Sequence, residues 1–392
     1  MTTYVKREAR DGNGVVSRRL PFGLLKELER PRDVFRDLGP NWYAAVMGTG
    51  IVANAGATLP VYVPGLRVFA TAVWALATAV LIALTAAWAV HWIRYPGRAR
   101  GHAANPVMAQ FWGAPAMALM TVGTGTLVLG ASLIGAGPAL AADWVLWAAG
   151  TALGLVTCCW IPYLMMTRHQ IGPDGAFGGW LMPVVPPMVS AANGALLIPH
   201  LPPGQARLTL LLACYAMFGI SLAASVIIIT QIWSRLVHYK IGPAVMVPTL
   251  WIVLGPLGQS VTAAGNLGTQ AAGVLPAPYA AGAAGFALLY GIPVWGFAMM
   301  WLALAAAITI RTARRGLPFT LTWWSFTFPV GTCVTGTIAL ATRSGADALQ
   351  WASVILYALL LAAWVTVAIR TARGAATGRL FGPVAPAPQP AG

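Results

Sequence analysis

Ten times between Trp42 and Ala372 the chain runs for 17 or more residues with almost no charge. As a helix rising 1.5 Å per residue, each such run is long enough to cross about 30 Å of hydrocarbon. The runs fall near 42–59, 67–94, 106–135, 141–167, 182–200, 207–236, 244–270, 279–311, 318–342 and 348–371. Only 8% of the residues are charged, where soluble domains carry roughly one-quarter, so a water-soluble fold is excluded. The expected fold is an all-α polytopic membrane protein with ten transmembrane helices.

The 24 basic and 9 acidic residues are informative through their placement. Nine basic residues and six acids precede Asn41. Residues 1–40 therefore read as a solvated cytosolic tail without a signal peptide's apolar run, and 374–392 as a Pro/Ala-rich cytosolic tail. Between them lies a transport domain over 41–373. Its even-numbered runs end in basic clusters, including Arg94, Arg98, Arg168, Arg235, Arg311 and Arg370. Twelve basic residues mark these ends, and the opposite loops carry three: Arg67, Arg207 and Arg343. The positive-inside rule then puts both termini in the cytoplasm of an inner or plasma membrane. Basic residues scattered over helix ends form no patch for nucleic acid.

The odd-numbered runs begin at or near proline and are expected to break midway. The breaks are placed at Gly48 and Gly50, Pro115, Pro186 and Pro187, Pro256, and Pro329. Their spacing of roughly 70 residues suggests a repeated helical hairpin. Lipid cannot satisfy a carbonyl freed by proline, so such helices belong together around a wet axis. The straight, Trp-studded even helices then form an outer ring.

Polar residues of the odd runs become candidate lining: Thr49, Thr124, Ser190, Asn193, Gln259, Thr262, Thr332 and Thr335, with Asn54, Thr121, Ser260 and Asn266 beside them. All are neutral. With helix N-termini aimed at the cytosolic mouth, and Arg67, Arg207 and Arg343 at the outer one, such a path favours small anions. Beyond residue 40 the carboxylates are Asp143, Asp174 and Asp347, read as lying at run ends or loops, so no buried acid relay for protons is expected. No cluster of His, Asp or Glu suits a catalytic site, a metal or a cofactor. Cys158, Cys159, Cys214 and Cys333 read as packing residues.

The segment Asn41-Trp42-Tyr43-Ala44-Ala45-Val46-Met47-Gly48-Thr49-Gly50-Ile51-Val52 resembles the tellurite-resistance/dicarboxylate transporter (TDT) family. That family includes fungal malate permeases and sulfite exporters and is related to plant slow-type anion channels. Trp323-Trp324-Ser325-Phe326-Thr327-Phe328-Pro329 resembles its ninth helix. The resemblance implies five hairpins in pseudo-fivefold arrangement, a homotrimer with a pore in each protomer, and a phenylalanine that occludes the pore. Phe328 matches that gate best, with Phe326 as the alternative. The expected function is passage of a C4-dicarboxylate such as malate, or of sulfite or another oxyanion. A proton-coupled electroneutral carrier is the nearer alternative and an intramembrane enzyme the more distant one.

Overall fold

The structure, a computed structural model, describes residues 24–382. The first 23 and the last ten residues, parts of the two expected tails, lie outside the described residues. Within them all regular structure is helical. Eight helical segments are long and apolar enough to cross a membrane, which makes this a polytopic membrane protein. The expected first and fifth runs are shorter as helices, α1 (Tyr43–Thr58) with 16 residues and α7 (Pro186–Leu197) with 12.

Two classes of helix alternate. The long ones are α2 (Leu66–Arg94), α6 (Ala136–Thr167), α8 (Gln205–Tyr239), α10 (Ala277–Ala313) and α12 (Asp347–Thr377). Their apolar stretches are only 22% to 33% buried, and Ile82, Met166, Leu289 and Ile355 stand exposed. So much exposed apolar surface needs lipid around it. The short ones are α1, α4 (Gly113–Gly125), α7, α9 (Leu254–Ala271) and α11 (Phe328–Ser344). With their flanking turns, the segments around α4, α9 and α11 are 61% to 83% buried.

Every short helix follows a 3₁₀ stretch: Pro40–Trp42, Met108–Trp112, Gly178–Leu181, Ala244–Val253 and Leu321–Phe326. Each stretch contributes a tryptophan: Trp42, Trp112, Trp180, Trp251 and Trp324. The expected mid-helix breaks are corrected by this pattern. Pro115 and Pro256 are third residues of α4 and α9, Pro186 and Pro187 open α7, and Pro329 is second in α11. In a first turn proline's missing N–H costs an α-helix nothing. At Gly48 and Gly50 there is no interruption, because α1 runs straight through both. Those glycines permit close approach instead: a Cβ at Gly48 would lie 2.6 Å from the Trp324 ring, and one at Gly50 2.7 Å from Thr121.

The short helices touch in a closed circuit, α1 on α4, α4 on α7, α7 on α9, α9 on α11 and α11 back on α1. Each is also packed by the long helix that follows it, α1 by α2, α4 by α6, α7 by α8, α9 by α10 and α11 by α12. Tryptophans of the long helices do not all face lipid, as the sequence had suggested. Several turn inward and donate to the short helices. The Nε1 groups of Trp147, Trp295 and Trp364 reach Ser190 O, Thr337 Oγ1 and Thr49 Oγ1 at 2.9, 2.8 and 3.1 Å. A buried indole N–H needs a partner, and each such bond contributes about 1 kcal/mol.

At the basic face the segment before Pro40 docks on α2 and α3 (Pro96–Ala104). His91 Nδ1 donates to Phe35 O at 2.8 Å, which leaves His91 Nε2 to accept from His102 Nε2 at 3.2 Å. Asp37 pairs with Arg36 at 3.1 Å and with Arg98. Burial, and then the neighbouring His91, push the His102 imidazole down to about 4. A histidine held neutral by the fold contributes stability near neutrality that is lost as pH falls from its ordinary value through the lowered one. Hydrogen exchange of residues 33–38 should therefore accelerate as pH drops from about 6.5 toward about 4, after correction for intrinsic exchange. His102→Gln should flatten that response, and an unchanged response would remove His102 as its source.

Candidate functional site

Two separate cavities lie among the short helices. The smaller, about 30 Å³, has room for about one water and is walled by Met47, Phe111, Met117, Met182, Trp324 and Phe328. Its surroundings are almost wholly apolar. The larger, about 510 Å³, is walled by Asn54, Thr124, Asn193, Gln259, Thr262, Asn266, Thr335 and Arg343 among others, and among the described residues no carboxylate lines it. The two follow one another along the same helices. Met47 of the small cavity is one turn from Ile51 of the large one, and Phe328 is two turns from Thr335. At 1.5 Å per residue their walls are offset by about 6–10 Å.

The large cavity is built by polar groups that both join neighbouring helices and face the space. Asn54 Nδ2 donates to Thr121 O at 3.0 Å, Asn193 Nδ2 to Met120 O at 3.2 Å, and Asn266 Nδ2 to Ala192 O at 3.0 Å. The Thr262 and Thr335 hydroxyls meet at 2.8 Å across α9 and α11. Arg343 Nη2 is fixed by Gly265 O at 2.9 Å and Thr269 Oγ1 at 3.0 Å. Asn54 Oδ1 and Thr124 Oγ1 are buried without a protein partner, so both retain unused hydrogen-bonding capacity beside the cavity.

Of the eight candidate lining residues, the structure brings Thr124, Asn193, Gln259, Thr262 and Thr335 to this cavity. Thr49, Ser190 and Thr332 are absent from its wall. Thr49 accepts from Trp364, Ser190 donates to Pro186 O at 3.1 Å, and Thr332 donates to Pro329 O at 2.7 Å. Thr49 thereby ties α1 to α12, while the Ser190 and Thr332 bonds close on their own helices. The three arginines also separate. Arg67 holds Val128 O at 3.2 Å and Arg207 holds Leu201 O at 2.8 Å, whereas Arg343 alone of the three lines the cavity.

The two phenylalanines separate as well. Phe328, 3% exposed, lines the small apolar cavity. Phe326 packs edge-on against Trp251 and Trp323, with ring centroids 5.1 and 5.6 Å away. Asp143 corrects a further expectation. It is not at a run end but the eighth residue of α6, 1% exposed. The start of α6 at Ala136 lies earlier than the expected run at 141, which carries Asp143 inward.

Thr269 and Thr342, both lining the large cavity, escaped the sequence reading. A signal was available. Gln259, Thr262, Asn266 and Thr269 are spaced i, i+3, i+7 and i+10, which places them on one helix face.

Known proteins resemble this chain over most of its length. A family model described as voltage-dependent anion channel, SLAC1, matches residues 37–372. An uncharacterized transporter of Methanocaldococcus jannaschii is 27% identical over 363 residues, covering 91% of this chain and 99% of that protein. A sulfite efflux pump of Trichophyton rubrum is 26% identical over 364 residues, covering 91% and 96%. A sulfite efflux pump of Candida albicans is 24% identical over 319 residues, covering 76% and 65%. The match takes in both cavities and the two segments that carried the resemblance, so the chain belongs to the SLAC1/TDT family.

Proposed function

We propose that this protein conducts small anions across the membrane through the large polar cavity and past Phe328, which closes the apolar throat beyond it. The observation that carries the reading is the wall of the 510 Å³ cavity: neutral hydrogen-bonding groups, one arginine and no carboxylate. Amide and hydroxyl groups give an anion weak, distributed contacts, so it enters without being trapped. Cations find no carboxylate to offset their lost water, and the Arg343 guanidinium repels them.

In this reading the ten runs form five hairpins about one axis, and the circuit of contacts from α1 to α11 supports it. The basic ends lie in the cytoplasm with both termini, the polar cavity opens outward, and three copies assemble with a path in each. The cargo is a sulfite-class oxyanion, a choice supported by relatives named sulfite efflux pumps. Malate is the competing cargo. A flux screen of reconstituted protein against sulfite, malate, nitrate, chloride and tellurite tests the reading, and failure to move any of them would sink it.

Arg343 offers a sharper check. A guanidinium a few ångströms from an anion is worth between about 1 and 4 kcal/mol, depending on how much water screens it. Arg343→Gln should cut flux at sub-saturating anion by roughly tenfold, and Arg343→Lys should restore most of it. Equal flux in Arg343→Gln would place the anion elsewhere.

A further inference from the structure

Asp143 is the one buried carboxylate among the membrane-spanning helices of the described residues, and no role has been given to it. Its Oδ1 is buried and has no hydrogen-bond partner among the described residues. As the eighth residue of α6 it lies beyond the first turn, where a carboxylate would cap free N–H groups. The elements packed against α6 are α4, α5 (Ala131–Ile134), α7, the π turn Thr126–Gly130 and the 3₁₀ stretch Met108–Trp112. None of them carries an ionisable side chain. On α6 itself the next titratable groups are Cys158, Cys159 and Tyr163, four or more turns away. Arg67 reaches the π turn from α2, but its Nη2 is bound to Val128 O and it makes no ion pair with Asp143.

The chain nevertheless makes room for this carboxyl. A Cβ on Gly123 would lie 2.5 Å from Asp143 Oδ1. The next residue, Thr124, lines the large cavity and has a buried hydroxyl without a partner. Asp143 therefore sits about one residue's thickness behind the wall of a cavity that holds no other acid. An ionisable group kept unpaired inside a membrane protein points to function.

We propose that Asp143 is a proton-binding site in the wall of the anion path: with its proton the wall is neutral and anions pass, and without it a negative charge behind Gly123 and Thr124 lowers flux. The proton comes from water of the large cavity and returns to it. Poor screening inside the protein lets one charge act on an anion in the cavity by on the order of tenfold in occupancy. The inference rests on the anion-path reading.

The test uses the full chain in proteoliposomes and nitrate, whose own charge is constant across the range. Wild-type flux should fall severalfold as pH on the cavity side rises from mildly acid to mildly alkaline, and Asp143→Asn should hold the acid-side flux throughout. Flux independent of pH in the wild type, or an unchanged pH profile in Asp143→Asn, overturns the proposal. Infrared difference spectra of the wild type give a second readout that needs no transport. A carboxylic-acid carbonyl band that titrates, shifts down in deuterated water and is lost in Asp143→Asn supports the site, and its absence overturns it. If no anion moves while that band titrates, the path reading fails and the proton site stands.

Discussion

Phe328→Ala should raise anion flux in liposomes by at least about tenfold. The cavity beside Phe328 holds about 30 Å³ and is walled by methionine and aromatic side chains. Driving a bare anion through such a gap costs several kcal/mol in lost hydration, and apolar constrictions close by excluding water. Removing the ring opens the gap to water, and each 1.4 kcal/mol removed from the barrier is tenfold in rate. Phe→Ala at a site 3% exposed also costs about 3–5 kcal/mol of stability, an opposing effect that lowers the amount of folded protein rather than the rate through each copy. Flux is therefore to be normalised to monodisperse, reconstituted protein.

Phe326→Ala separates the gate from general loosening. Its ring is held between Trp251 and Trp323 and lines neither cavity. It should destabilise without raising flux. If the two variants behave alike, or if Phe328→Ala leaves flux unchanged, the throat at Phe328 is not where anions are held back.

The sequence carried the helical runs, their alternation and the family, because length, charge and proline position are one-dimensional properties. It placed proline correctly and misjudged its effect, since a 3₁₀ stretch ahead of each short helix makes Pro115 and Pro256 first-turn residues. The lining was less legible. Helices such as α1 and α11 are buried nearly all round, so polarity does not reveal which face meets a cavity and which meets a neighbour. Thr332 and Thr335 show the difficulty, three residues apart, one packed and one lining. Asp143 was lost to a boundary error of a few residues, enough to mistake a buried acid for one at the end of a run.

Gly178→Ala should prevent the protein from folding into a monodisperse, transport-competent form. An ideal Cβ at Gly178 would lie 1.8 Å from Thr249 O, and one at Gly113 would lie 1.9 Å from Met182 O. Both positions join the 3₁₀ region of one short helix to that of the next, from α4 to α7 and from α7 to α9. The obstacle is backbone, which has no rotamer into which to retreat. To reach ordinary contact the added Cβ must move from 1.8 Å to at least 3.4 Å from Thr249 O, in a region where Thr249 is 1% exposed. Close-packed interiors transmit such displacement instead of absorbing it, and Met182, four residues on, lines the small cavity beside Phe328. The expected cost exceeds about 4 kcal/mol, a size reserved for overpacking and similar failures. Gly219→Ala is the matched control, because nothing lies within 4 Å of its Cβ position in the middle of α8. There the better helix former should be neutral or stabilise by up to about 1 kcal/mol. Size-exclusion profiles and thermal midpoints of the two variants decide the matter, and a well-folded, active Gly178→Ala would mean that the short helices do not meet as closely as they do here.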